Sequence, residues 1–196
     1  VLIEDGKILR VGEGAGPDAK DQVRIDLSGK FITPGLIDTH SHLGVYPTVA
    51  ASAHSDGDKM TKPTTPEAWA EHAVWTQDPG FERAVAGGVT TLHILPGSGN
   101  LIGGRGVVMH AIPTLGSRAM RLKGAPETVK MACGENPKRV YGNKGGPKTR
   151  MGNIAIQRQT FLKAKAYKAR WDKFEEKNSG QALFSRKNDH ALEPER

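Results

Sequence analysis

Two histidines and an aspartate stand at every second position in Asp38-Thr39-His40-Ser41-His42, directly after the apolar pair Leu36-Ile37. On an extended chain, residues two apart point to one face, so Asp38, His40 and His42 share it. Two imidazoles spaced about 7 Å along such a strand can converge on one divalent ion through their ring nitrogens. A neighbouring carboxylate can then orient one of them as an outer partner. The competing reading is two polar residues at a strand end, and a bare His-x-His does not decide between them. The other metal-binding residue types are sparse. The single cysteine, Cys133, excludes a cysteine-rich zinc site and any intrachain disulfide, so a metal must be held by histidine and oxygen donors.

The elements around this stretch carry a recognisable order. Pro34-Gly35 marks a boundary, and Leu36 to Asp38 reads as a short buried strand. Residues 45–66 form a long polar loop, of a length that in a compact domain tends to be functional. Thr65-Pro66-Glu67 reads as a helix start. Asp78-Pro79 opens a helix from Phe81 to Ala86 that Gly87-Gly88 stops. Val89 to Leu95 is β-branched and apolar, a buried strand. Strand, helix, glycine stop and strand together predict a βαβ unit with parallel strands. The Gly-rich stretch Pro96 to Gly106 reads as a loop at the strand end. Residues 106–109 and 128–132 read as further strands, and Gly134-Glu135-Asn136-Pro137 as another loop.

Upstream, Val1-Leu2-Ile3 and Ile8 to Val11 flank Asp5-Gly6, a hairpin with a tight turn. Val23 to Leu27 alternates like a half-buried strand, and Phe31-Ile32 resumes it. Residues 1–33 thus form a small β unit that needs strands from elsewhere to stand. Downstream, residues 151–177 read as a long charged helix. Phe161, Ala164, Tyr167, Trp171 and Phe174 recur on one stripe, a packing face.

The 196 residues carry a formal charge of +7, and hydrophobic residues make up 37%. The mean hydropathy is −0.48 and the sequence pI about 9.6. No apolar run approaches the roughly 20 residues that span a bilayer, so no membrane association is expected. From Pro147 to Arg196 there are 12 Lys/Arg against 6 Asp/Glu, so the positive excess sits in the last quarter. That quarter lacks aromatic interleaving and any nucleic-acid motif, and reads as a solvated helix rather than a nucleic-acid surface. The chain starts with Val inside a strand-like run, which suggests residues upstream and leaves cytoplasm and periplasm both open.

The stretches VLIEDGKILRVGEG, GKFITPGLIDTHSHL and AVAGGVTTLHILPG, in that order, resemble the opening of the amidohydrolase superfamily, in particular the imidazolonepropionase-like metal-dependent hydrolases. VKMACGENPKRVYG resembles a subgroup of them and carries the likeness to about residue 175. The resemblance implies an α/β fold: the first half of a (β/α)8 barrel over residues 34–196, preceded by part of a small composite β-sandwich at residues 1–33. It implies hydrolysis of a C–N bond, an amide or cyclic amide of a small molecule, with one or two divalent ions, commonly zinc. His40 and His42 would be the first-strand ligands, with Asp38 outside them. A carboxylated lysine or a glutamate normally bridges two metals. Lys130, on an apolar strand where a bare ammonium is costly, is the first candidate, and Glu135 the alternative. Family members take further histidines from the fifth and sixth strands and a general-base aspartate from the eighth. No match for these follows residue 135, so no catalytic base is assigned and the chain reads as an N-terminal portion, completed by a missing half or by another copy. A mononuclear, deaminase-like member is a variant of this reading. The reading from a different class is an inactive fragment or binding module that uses the basic helix. Among the remaining histidines, His93 reads as a satisfied core residue, His54 and His72 as loop and helix surface, and His110 as a residue that could approach the site. His190 is unassigned.

Overall fold

The computed structural model describes residues 1–14 and 22–178. They form two compact units, residues 1–34 and a second beginning at Gly35. No helix among the described residues is long and apolar enough to cross a membrane.

In the first unit, β1 (Leu2–Glu4) and β2 (Lys7–Arg10) pair antiparallel. Their turn uses Asp5 at φ 49° and Gly6 at φ 72°. Both central residues are left-handed, the twist a two-residue hairpin requires. The expected strands at Val23–Leu27 and Phe31–Ile32 do not form. Val23 and Phe31 are 89% and 95% exposed. Alternation alone makes no strand where no neighbouring edge accepts its hydrogen bonds.

The second unit is built on β3 (Leu36–Ser41) and β4 (Val89–Ile94), which pair in parallel. Between them the chain crosses over through α1 (Gly80–Ala86), stopped by Gly88 at φ 86°. The βαβ expectation holds here. β5 (Ile102–Arg105) and β6 (Val107–His110) follow. β6 joins the other edge of β4 but runs antiparallel, so the sheet is mixed. After α2 (Ser117–Met120), β7 (Val129–Met131) pairs antiparallel with β5 in a separate ribbon. α3 (Glu135–Tyr141) and α4 (Arg150–Asn178) complete the described chain. The architecture is α/β.

Phe81 of α1 drops onto Leu92, Ile94, Val107 and Met109 of the sheet, with Val45, Ala70 and Met120 closing the cluster. Burial of a side chain of this size stabilises by roughly 1.5–3 kcal/mol. The cluster lies beside the later half of β3 and β4. At their start, Leu36 and Ile37 are 58% and 66% exposed, so the expected buried strand is buried only where it ends. No described layer covers its opening residues.

Three other expectations change. Thr65-Pro66 opens no helix; a 3-10 turn forms at Ala70–Ala73 instead. The segment is held by β5: Thr65 N–H donates to Ile102 O, and Arg105 N–H to Ala68 O. Those ladder-like bonds compete with helical ones and win. The Gly-rich stretch is not all loop, because residues 102–105 are β5. Glu135-Asn136-Pro137 is the first turn of α3 rather than a loop, a place where proline is tolerated.

α4 occupies the range expected of it, and among the described residues its stripe is only partly covered. Phe161 is 57% exposed, while the half-buried Tyr167, Trp171 and Phe174 meet edge to face along the helix. The face that packs is polar. Buried Asn153 donates to Cys133 O and Gly134 O, and Gln157 to Leu101 O and Ala132 O. These buried amides direct their donors to carbonyls at the ends of β5 and β7 and in the segment before α3.

Candidate metal centre

The site forms where β3 and β4 end. The register pairs Ser41 with Ile94, so His40 and His42 sit at the C-terminal end of the parallel pair. Their rings meet edge to face with centroids 5.2 Å apart. The shared-face expectation is met for the two imidazoles. Asp38 takes a local role: its carboxylate accepts the backbone N–H of His40 at 3.0 Å. It fixes the backbone at His40 rather than bonding an imidazole.

His42 leaves the strand in a turn, with Val45 N–H and Tyr46 N–H both donating to His42 O. Its Nδ1 lies 2.8 Å from Leu95 O. A carbonyl only accepts, so Nδ1 carries a proton, and in the neutral ring the lone pair is then on Nε2. That is the tautomer a metal-binding imidazole needs.

Lys130, ninety residues from His40 in sequence, brings its Nζ to 3.1 Å from His40 Nε2. The amine donates and the imidazole accepts. Lys130 reaches this point because Gly104 of β5 pairs with it across the ribbon. Burial lowers the Lys130 pKa, opposed by the negative charge of Asp58. The Lys130 charge is in turn the main influence lowering the His40 pKa, ahead of burial and His42, and Asp38 pulls the other way. Both shifts favour the neutral forms, which own lone pairs.

A cleft of about 390 Å³ opens beside His42, lined also by Tyr46, Asp58, Ser98, Asn136 and Arg139. Tyr46 donates its hydroxyl to Asp58, and its ring meets His42 edge to face at 5.6 Å. Burial foremost, then the Asp58 hydrogen bond and charge, raise the tyrosine pKa, so the phenol stays protonated. Asn136 donates to Ser98 at 2.6 Å, tying α3 to the loop after β4.

With this geometry in view, the chain can be set beside known proteins. No family model matches it. An amidohydrolase from Thermotoga maritima, known by crystal structure, superposes with a TM-score of 0.81 at 39% identity, covering 93% of this chain and 46% of that one. Amidohydrolase tasK of Hapsidospora irregularis is 36% identical over 185 residues, 88% of this chain and 19% of that protein. The imidazolonepropionase of Klebsiella pneumoniae is 34% identical over 115 residues, 50% of this chain and 27% of the relative. The chain belongs to the amidohydrolase superfamily. It spans less than half the length of each of these three relatives.

Among the described residues, no three His, Cys, Asp or Glu side chains gather closely enough to hold an ion. Two imidazoles do gather, and a lysine amine touches one of them. Glu135, the alternative bridge, is at the start of α3, 72% exposed and ion-paired with Lys138 at 2.9 Å. The remaining histidines are engaged elsewhere. His93 is satisfied by Thr39 O and the Thr128 hydroxyl. His54 stacks on Trp75 and His72 on Trp69. His110 pairs with Thr91 near the start of β4, away from the end where the site forms. His190 lies outside the described residues. The sequence reading missed Tyr46, Asp58, Asn136 and Arg139. Asp58 sits in a polar loop with no periodicity to mark it, and only the fold brings it to Tyr46.

Proposed function

We propose that this chain carries the first-strand ligands of a metal-dependent amidohydrolase that hydrolyses a C–N bond of a small amide or cyclic amide. The observation that supports it best is the 3.1 Å approach of Lys130 Nζ to His40 Nε2 beside a second, correctly tautomeric imidazole. In this reading β3, α1 and β4 open a (β/α)8 barrel, a fold whose sites lie at the C-terminal strand ends. Residues 1–33 contribute to a small β-sandwich.

His40 and His42 would hold a divalent ion, and imidazole donors suit zinc. Such an ion, when bound, polarises the scissile carbonyl and lowers the pKa of a bound water. Leu95 O keeps the His42 Nε2 lone pair available by holding the proton on Nδ1. Burial raises the neutral fraction of Lys130, and a neutral amine can add CO₂ with loss of one proton to give a carbamate. The carbamate oxygens would serve as the bridge if two ions bind. The cleft beside His42 would take the substrate. No residue described here is assigned as general base.

Metal analysis of the full chain tests this. The parent should hold zinc or a similar ion, and His40→Ala/His42→Ala should lose it. An unchanged metal content in the double variant would sink the assignment. The binding-module alternative draws on the basic residues of α4. Salt-sensitive nucleic-acid binding of the parent without hydrolase activity would favour it.

A further inference from the structure

The long loop after β3 carries a carboxylate that the proposed chemistry does not use. Asp58 spends one oxygen on the Tyr46 hydroxyl and the other on Gly99 N–H at 3.0 Å. Nearby, Gly97 N–H donates to Gly57 O at 2.7 Å. The loop after β4 is therefore strapped to the loop after β3 at two adjacent points. The fit at the strap is tight. A Cβ on Gly97 would stand 2.3 Å from the Tyr46 hydroxyl and 2.5 Å from Asp58 Oδ2, closer than side chains tolerate.

The strap encloses one imidazole. Leu95, in the loop after β4, accepts from His42 Nδ1, and Tyr46, in the loop after β3, abuts the same ring. Asp58 ties Tyr46 to Gly99, in the same loop as Leu95. We propose that Asp58 and Tyr46 are positioning residues for His42, forming a brace that holds its imidazole with Nδ1 on Leu95 O and Nε2 free for a ligand. This rests on His42 being a metal ligand. A ring held by one hydrogen bond can still rotate away, whereas a ring held at an edge and a face cannot. Partners of this kind commonly alter metal affinity 10–100-fold.

The test uses Asp58→Asn, Tyr46→Phe and Gly97→Ala in the full chain. Zinc affinity is measured by competition with a chromophoric chelator. The His42 tautomer is read in the metal-free protein from long-range ¹⁵N–¹H correlations. Wild type should show His42 protonated on Nδ1. Each variant should bind zinc roughly 10–100-fold more weakly and show a mixed tautomer. Tyr46→Phe removes a single oxygen, so it keeps the test open should Asp58→Asn fail to fold. Variants with wild-type affinity and a locked Nδ1–H tautomer would overturn the brace. If wild type binds no zinc, the ligand assignment falls and the tautomer alone decides: mixed in the variants upholds the brace, locked overturns it.

Discussion

The two ends of the β3–β4 pair differ sharply, although the same two strands make both. At the beginning, Leu36 and Ile37 lie largely in solvent. At the finish, Ser41 and Ile94 are buried, and the loops beyond are tied by carboxylates and amides. Asp78 is the strongest of these ties. It is buried and accepts N–H groups from Gly44, Thr48 and Gly80, pinning the turn after His42 to the start of α1. Asn100 holds the neighbouring loop by donating to Lys59 O and Lys62 O. Strand pairing alone does not make an end rigid. The side-chain ties gather at the end that carries His40 and His42.

The largest effect should come from the core under the ordered end. Phe81→Ala should cost about 3–5 kcal/mol by urea unfolding. A cost under 1 kcal/mol would mean that the two ends do not differ in packing. Asp78→Asn should cost about 2–3 kcal/mol, because it removes the charge that three N–H groups share. Burial pushes the Asp78 carboxyl up, but hydrogen bonds from Thr48, Gly80 and Gly44 outweigh it and hold it below its ordinary value. A carboxyl depressed in the folded state stabilises above its unfolded pKa and loses that contribution as pH falls through the folded one. Parent stability should therefore drop below about pH 4, and Asp78→Asn should flatten that part of the curve. A curve of unchanged slope in the variant would remove Asp78 from the account.

Asn153→Ala should cost about 1–2 kcal/mol, since it removes two hydrogen bonds made by a buried amide. Trp171→Ala, farther along the same helix, should cost less in the same unfolding measurement. The reverse order would show that the aromatic stripe is the packed face after all. The smallest effect belongs to the open end, where Ile37→Thr should change stability by under about 0.5 kcal/mol. A cost near that of Phe81→Ala would mean that surface outside the described residues covers this face.

The parts legible in the sequence were those fixed locally. Asp5-Gly6 names its own turn, Gly87-Gly88 stops α1, and the β-branched run at Val89 makes a strand. The two-residue spacing of His40 and His42 marks them as neighbours, although His42 lies just past β3 and its ring is set by Leu95. Lys130 was a candidate because of its apolar neighbours, but its meeting with His40 depends on how β7 pairs with β5. What stayed hidden depends on distant partners. Thr65-Pro66 has a helix start's chemistry, yet bonds to β5 claim its backbone. Val23 to Leu27 has a strand's alternation and no described edge to join. α4 shows an aromatic stripe, but the carbonyls near Leu101 and Cys133 recruit its amides instead.

The central claim is that His40 and His42 hold one ion, with Lys130 beside it. The most direct measurement is anomalous diffraction at the zinc edge from crystals of the zinc-loaded full chain. The account predicts a peak about 2.0–2.1 Å from Nε2 of both His40 and His42, with the Lys130 side chain beside it. A zinc peak bound elsewhere, with Lys130 still donating to a metal-free His40, would contradict it.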